Sequence, residues 1–242
     1  MTDSALPLFY KTPRVLHPGA HGHHSLAAKA SYRFAAQTNA VPVVADEMML
    51  AGRHYPLVFS DDARPYPVAV LGLRAQQNLF VDAGGQWRPG VYVPAYLRRY
   101  PFIFLENAAS QELTLCVDEA AESLLAGRDN PLFDPSGEPT PLTVSALALC
   151  RDYQSQHLAT AEYARAVVAA DLLVEHRADV SLRDGRVMSL SGFKVIDQAR
   201  FMNLPDETFL AWRRKGWLAL VHWHFFSIGA WSTLIDAAAA QA

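Results

Sequence analysis

The sequence is poor in the groups that announce most small-protein chemistries. Only two cysteines occur in 242 residues, Cys116 and Cys150, at neither metal-ligand nor redox spacing. A disulfide framework is therefore excluded, and a reducing cytoplasm is the expected compartment. Charge of one sign is also missing: 21 Lys and Arg against 24 Asp and Glu give a net charge of −3. That balance offers nucleic acid no global attraction, and no nucleic-acid partner is expected. No GxGxxG, GKS/T, GxSxG, HExxH or CxxC is present, so nucleotide-binding, hydrolase and zinc-protease readings have no support. Residues Met1 to Pro7 lack the basic segment, apolar stretch and cleavage site of a signal peptide.

What is present is an ordinary globular composition, 51% hydrophobic and 19% charged, in a chain long enough to bury a core without staples. One segment stands apart. Gly216 to Ile235 contains no Asp, Glu, Lys or Arg and follows Arg213, Arg214 and Lys215. Twenty uncharged residues behind a basic flank could span a bilayer. His222, His224, Ser227, Ser232 and Thr233 lie inside it, however, and are costly groups to turn toward lipid. The preferred reading is a helix buried in a soluble domain, with no stable membrane insertion and Trp217–Leu234 packed inside.

Punctuation along the chain predicts an α+β fold. Residues 1–30 read as an extended arm broken by Pro13, Pro18, Gly19 and Gly22. Strands are expected at Tyr32–Gln37, Pro56–Ser60, Tyr66–Leu73, Phe102–Glu106 and Glu112–Asp118, with a short helix at Val43–Ala51. Leu79–Asp82 should meet Gln86–Arg88 across Gly84-Gly85. A helical turn is expected between Pro94 and Pro101. From Thr140, a good N-cap before Pro141, two helices are expected to fill the stretch to about His176. A hairpin turning at Asp184-Gly185 and a last helical section from Pro205-Asp206-Glu207 follow. The reading is one domain over 1–242: a strand-rich antiparallel N-terminal half packed with a helix-rich C-terminal half that contains one β-hairpin.

Several phrases, in order along the chain, carry a family likeness. They include Phe34-Ala35-Ala36-Gln37 with Val41-Pro42-Val43, Tyr55-Pro56-Leu57-Val58-Phe59, and Asn78-Leu79-Phe80-Val81-Asp82. Gly90 to Phe102 (GVYVPAYLRRYPF), Leu132-Phe133-Asp134, Leu190-Ser191-Gly192-Phe193-Lys194-Val195 and His224-Phe225-Phe226-Ser227-Ile228-Gly229 continue it. Together they resemble the SapC family. The resemblance implies an association with a surface-layer gene cluster, from which the family is named, and with neighbourhoods of flavin-dependent halogenases and cupin-like oxygenases. It does not imply the transporter permease of the same name, which needs several spans. It brings no catalytic residues with it.

Four constellations could carry chemistry. His17, His21, His23 and His24 could ligate a divalent metal, with His24 as the family-matched candidate. The preferred alternative is a solvated loop with adventitious affinity, since Gly19 and Gly22 loosen the segment. His222 and His224 fall on different sides of a helix, and His224 is the binding candidate, weighed against a hydrogen-bonded core histidine. Trp87, Tyr92, Tyr96, Arg98, Arg99 and Tyr100 could form a recognition surface, because arginine forks hold carboxylates and tyrosines give contact area. The rival reading buries the tyrosines and leaves the arginines in solvent. Acids such as Glu47, Asp82, Asp118, Glu119 and Asp134 show no pairing by spacing. The expectation is an accessory or binding protein whose partner is a protein, a peptide or a small acidic ligand. The rival is an enzyme, metal-assisted or not, with a His/Arg/Tyr pocket. The sequence names no cofactor.

Overall fold

The computed structural model describes residues 6–106, 113–127, 129–181 and 187–240. Short apolar strands bounded by Pro and Gly build three antiparallel sheets. The largest has the order β3-β5-β4-β10-β9, formed by Ala40–Pro42 (β3), Leu57–Ser60 (β4), Pro67–Val70 (β5), Leu173–Ser181 (β9) and Val187–Ile196 (β10). A smaller sheet joins Pro13–Val15 (β1), Leu113–Asp118 (β7) and Phe102–Glu106 (β6), and His24–Leu26 (β2) pairs with Leu124–Ala126 (β8). The segregation of strands and helices makes the fold α+β, as the sequence predicts. The C-terminal hairpin nevertheless closes onto the N-terminal sheet, Phe193 opposite Ser60 and Lys194 opposite Phe59. Its expected Asp184-Gly185 turn lies outside the described residues.

Where the strands are central they are apolar on both faces. Leu57, Val58 and Phe59 of β4 are all buried, as a strand covered on two sides must be. Phe59 lies 6.3 Å from the ring of Tyr163 and 5.8 Å from that of His224, between two helices. The register of β10 shifts between Leu190 and Phe193, where Gly192 takes φ 80. A bulge of this kind favours glycine, which has no Cβ to clash.

Several expectations are corrected. Residues Tyr32–Gln37 do not form a strand: Arg33–Ala35 is a 3-10 turn, and the pairing strand begins at Ala40. In place of two helices to His176 there is one, Pro141–Ala169 (α4), because no Gly or Pro interrupts it until Asp171 turns left-handed at φ 51. His176 belongs to β9. Thr140 stands at the N-cap of α4 without capping it; its hydroxyl donates instead to the carbonyls of Pro131 and Leu132. The 1–30 stretch is extended in β1 and β2, with one helical turn, Pro18–His21 (α1), between them.

The uncharged C-terminal run forms Trp217–Ser227 (α7), a 3-10 turn at Ile228–Ala230 and Trp231–Ala240 (α8). By length and composition, Trp217–Ala239 is one helix that could cross a membrane, with 28% of its most apolar window buried. The expected full packing therefore holds for one face only. Val221, His224, Ser227, Ala230 and Leu234 are buried at helical spacing, while Phe226 is 62% exposed.

Candidate functional site

The phrase Pro94 to Pro101 forms one helical turn, Ala95–Arg98 (α3), preceded by Met48–Ala51 (α2) with its leading 3-10 turn Ala45–Glu47. Glu47 couples the two. Its buried carboxylate accepts hydrogen bonds from the Val44 amide (3.0 Å), the Ala95 amide (2.7 Å) and the Tyr92 hydroxyl (2.8 Å). Burial raises the Glu47 pKa, and these bonds together with nearby Arg98 offset only part of the rise. The α3 backbone is thus tied to a single buried group.

On one helical turn, consecutive side chains diverge by about 100°, so Arg98 and Arg99 leave in different directions. Arg98 is exposed; it donates to the Val93 carbonyl (3.1 Å) and the Tyr92 hydroxyl (3.0 Å). Arg99 is buried, 8% exposed. Its guanidinium carbon lies 4.1 Å from the ring centroid of Tyr153, 4.6 Å from that of Tyr96 and 5.7 Å from that of Tyr10. Ring faces attract the cation. They do not replace hydrogen bonds, and among the described residues the Arg99 Nε has no acceptor.

A buried guanidinium stays charged and normally pairs with a carboxylate. Two carboxylates are buried among the described residues, Glu47 and Asp118, and both are used elsewhere. Asp118 accepts from the Lys11 (3.1 Å) and Thr12 (2.7 Å) amides and the Tyr100 hydroxyl (3.2 Å). Among the described residues no acid forms an ion pair with Arg99.

Arg99 opens onto a cleft of about 940 Å³. Three arginines line it, Arg64, Arg99 and Arg165, against one acid, Asp62. The cleft is thus positive by formal charge in a chain whose net charge is −3. His157 lies beside Arg99 and stacks on Tyr66 (5.1 Å between centroids), whose hydroxyl is 3.0 Å from the His157 Nδ1. Burial and then the charge of Arg99 lower the His157 pKa, so the imidazole is neutral near pH 7. Burial raises Tyr66 and Tyr153, keeping both phenols protonated. The site offers a fixed cation, phenol donors and a neutral imidazole, with apolar walls from Pro42, Val68, Phe104 and Val168.

Of the residues singled out in the sequence, the structure brings Tyr96 and Arg99 to this cleft. The others lie away from its lining. Trp87 is buried, donating from Nε1 to the Tyr55 hydroxyl (3.2 Å) and stacking on Phe80. Tyr92 bonds Glu47 and Arg98, and burial with nearby Glu47 pushes its phenol up to about 12. Tyr100 holds Asp118 and packs 4.1 Å from Phe34. His224 is 1% exposed; its Nε2 accepts from the Ile196 amide (3.1 Å), and burial lowers its pKa to about 4. His24 sits in β2 with its ring 4.3 Å from His23 and 5.7 Å from His21, whose Nε2 is 3.4 Å from Glu119. Among the described residues no three His, Cys, Asp or Glu side chains are grouped to hold a metal.

Sequence reading missed Tyr10, Tyr66, Tyr153 and His157. Tyr153 and His157 carried a usable signal: at i and i+4 on one helix they share a face. Tyr10 and Tyr66 carried none, because long-range pairing brings them in.

The SapC family model matches residues 16–234. The chain belongs to the SapC family. The match takes in every cleft residue named above, while Tyr10, a ring neighbour of Arg99, precedes it. No curated protein and no solved structure matches the SapC chain.

Proposed function

We propose that this SapC-family protein binds a small organic acid, with the ligand carboxylate on Arg99. One observation carries the reading: a buried arginine with no acidic partner among the described residues, at a cleft large enough for a small molecule. Folding leaves that cation short of an anion, and a ligand carboxylate would supply both the charge and the missing acceptor. A recessed guanidinium among aromatic rings suits a small molecule better than a broad protein surface, whose anchors insert from a flat rim. Calorimetric titration with benzoate and octanoate tests the reading. Arg99→Met should weaken both by tenfold or more, since a charge-assisted bond is worth roughly 1.5–3 kcal/mol. Equal affinity in the variant would refute it.

A catalytic reading has its own support in the Tyr66–His157 pair, a neutral imidazole hydrogen-bonded at the cleft and able to move a proton. Conversion of a bound acid by the wild type, abolished in His157→Ala, would turn the binding protein into an enzyme.

A further inference from the structure

The shape of the cleft narrows the class of acid. Its wall along α4 includes Tyr153, His157, Ala161, Ala164 and Val168. These positions recur every three or four residues over fifteen residues of one helix, so they form a single continuous face about 22 Å long. Arg99 marks one end, because its guanidinium covers the Tyr153 ring. From Ala161 onward this side of the groove is lined by the methyl groups of Ala161, Ala164, Val168 and Ala169 and by the exposed Arg165, and at the far end Val168 is 46% exposed although it lines the groove.

Resting on the carboxylate reading above, we propose that the ligand is a straight-chain fatty carboxylate, its head on Arg99 and its tail laid along α4 toward Val168. An unbranched chain matches a long, largely apolar face that ends in a single buried cation, with the exposed Arg165 beside it. A peptide fits less well, since its backbone would need partners along the groove. The cleft residue from edge strand β3 is Pro42, which has no N–H to donate.

The probes are butyrate, hexanoate, octanoate, dodecanoate and hexadecanoate, each below its micelle concentration, with methyl octanoate as the uncharged control. Affinity should rise with chain length, by up to about fourfold per methylene, the factor set by ~0.8 kcal/mol per buried CH₂. Methyl octanoate should bind at least tenfold more weakly than octanoate. Val168→Asp, a change at an exposed position, should weaken hexadecanoate while leaving hexanoate unchanged. If chain length has no effect but Arg99→Met still removes octanoate binding, the fatty-chain proposal fails and the carboxylate reading survives. If Arg99→Met leaves every probe unaffected, both fail. Equal loss of hexanoate and hexadecanoate in Val168→Asp would also overturn the proposed path of the tail.

Discussion

Glu47 holds the first amide of α3 and Arg99 follows its last residue; they are buried to similar depth, at 4% and 8% exposure, yet their surroundings are opposite in kind. The acid is met by two amides and a phenol. The cation is met by ring faces, and among the described residues its Nε has no acceptor. Asp118 repeats the first pattern, with the amides of Lys11, Thr12 and Ala120 and the phenol of Tyr100. A buried charge whose hydrogen bonds are complete holds the fold together. One that is left incomplete at an opening is kept at a cost to the fold, and a ligand is the natural complement.

The largest expected effect is on the satisfied side of that contrast. Glu47→Ala orphans the Val44 and Ala95 amides and the Tyr92 hydroxyl together. At about 1–3 kcal/mol for each unsatisfied donor, the loss should be roughly 4 kcal/mol. For a domain of this size that lowers the melting temperature by about 10 °C, readable by calorimetry or circular dichroism. Arg99→Met should behave oppositely, keeping its melting temperature within about 2 °C, because an apolar stem on the rings needs no counter-charge. Equal destabilisation by the two substitutions would erase the distinction.

His224 supplies an intermediate case, a buried ionisable group that avoids the problem by staying neutral. Its folded-state pKa is near 4 against an ordinary 6.5, so the unfolded chain binds the proton first as pH falls. Its contribution is complete above pH 6.5 and is lost as pH drops toward 4. The gap corresponds to roughly 3 kcal/mol. Urea midpoints should therefore fall between pH 7.5 and pH 4, and His224→Gln should flatten much of that slope. An unchanged slope in the variant would mean that His224 is not the group responsible.

How far the sequence foretold this depends on whether a feature is local. The α3 turn, the Gly84-Gly85 turn and the start of the helix at Asp206 were legible, because Pro, Gly and charge placement act over a few residues. The Arg99 cage was half legible: its own segment was visible, but not which arginine turns inward. That is decided by α4, where the spacing of Tyr153 and His157 shows a shared face but not what packs against it. Tyr10 is fixed from 92 residues away by its hydrogen bond to the Phe102 carbonyl. Glu47 was the least legible, since an acid in a short helix is ordinarily a surface group, and only the packing of α3 against it reveals three donors.

The smallest expected effect separates the neighbouring arginines, which sequence treats as equivalent. Arg98 is exposed, and its hydrogen bonds go to the Val93 carbonyl and the Tyr92 hydroxyl. Arg98→Ala should therefore cost below about 1 kcal/mol, a fall in melting temperature of about 2–3 °C. Octanoate affinity should not change, because Arg98 does not line the cleft. Since Arg98 reaches Glu47 through Tyr92, Arg98→Ala and Glu47→Gln should combine non-additively in stability, with a coupling of about 0.5 kcal/mol or more. Arg98→Ala and Arg99→Met, facing different partners, should add. Should Arg98→Ala instead weaken octanoate as much as Arg99→Met does, the two arginines would share the anion, and the division between scaffold and site within α3 would be wrong.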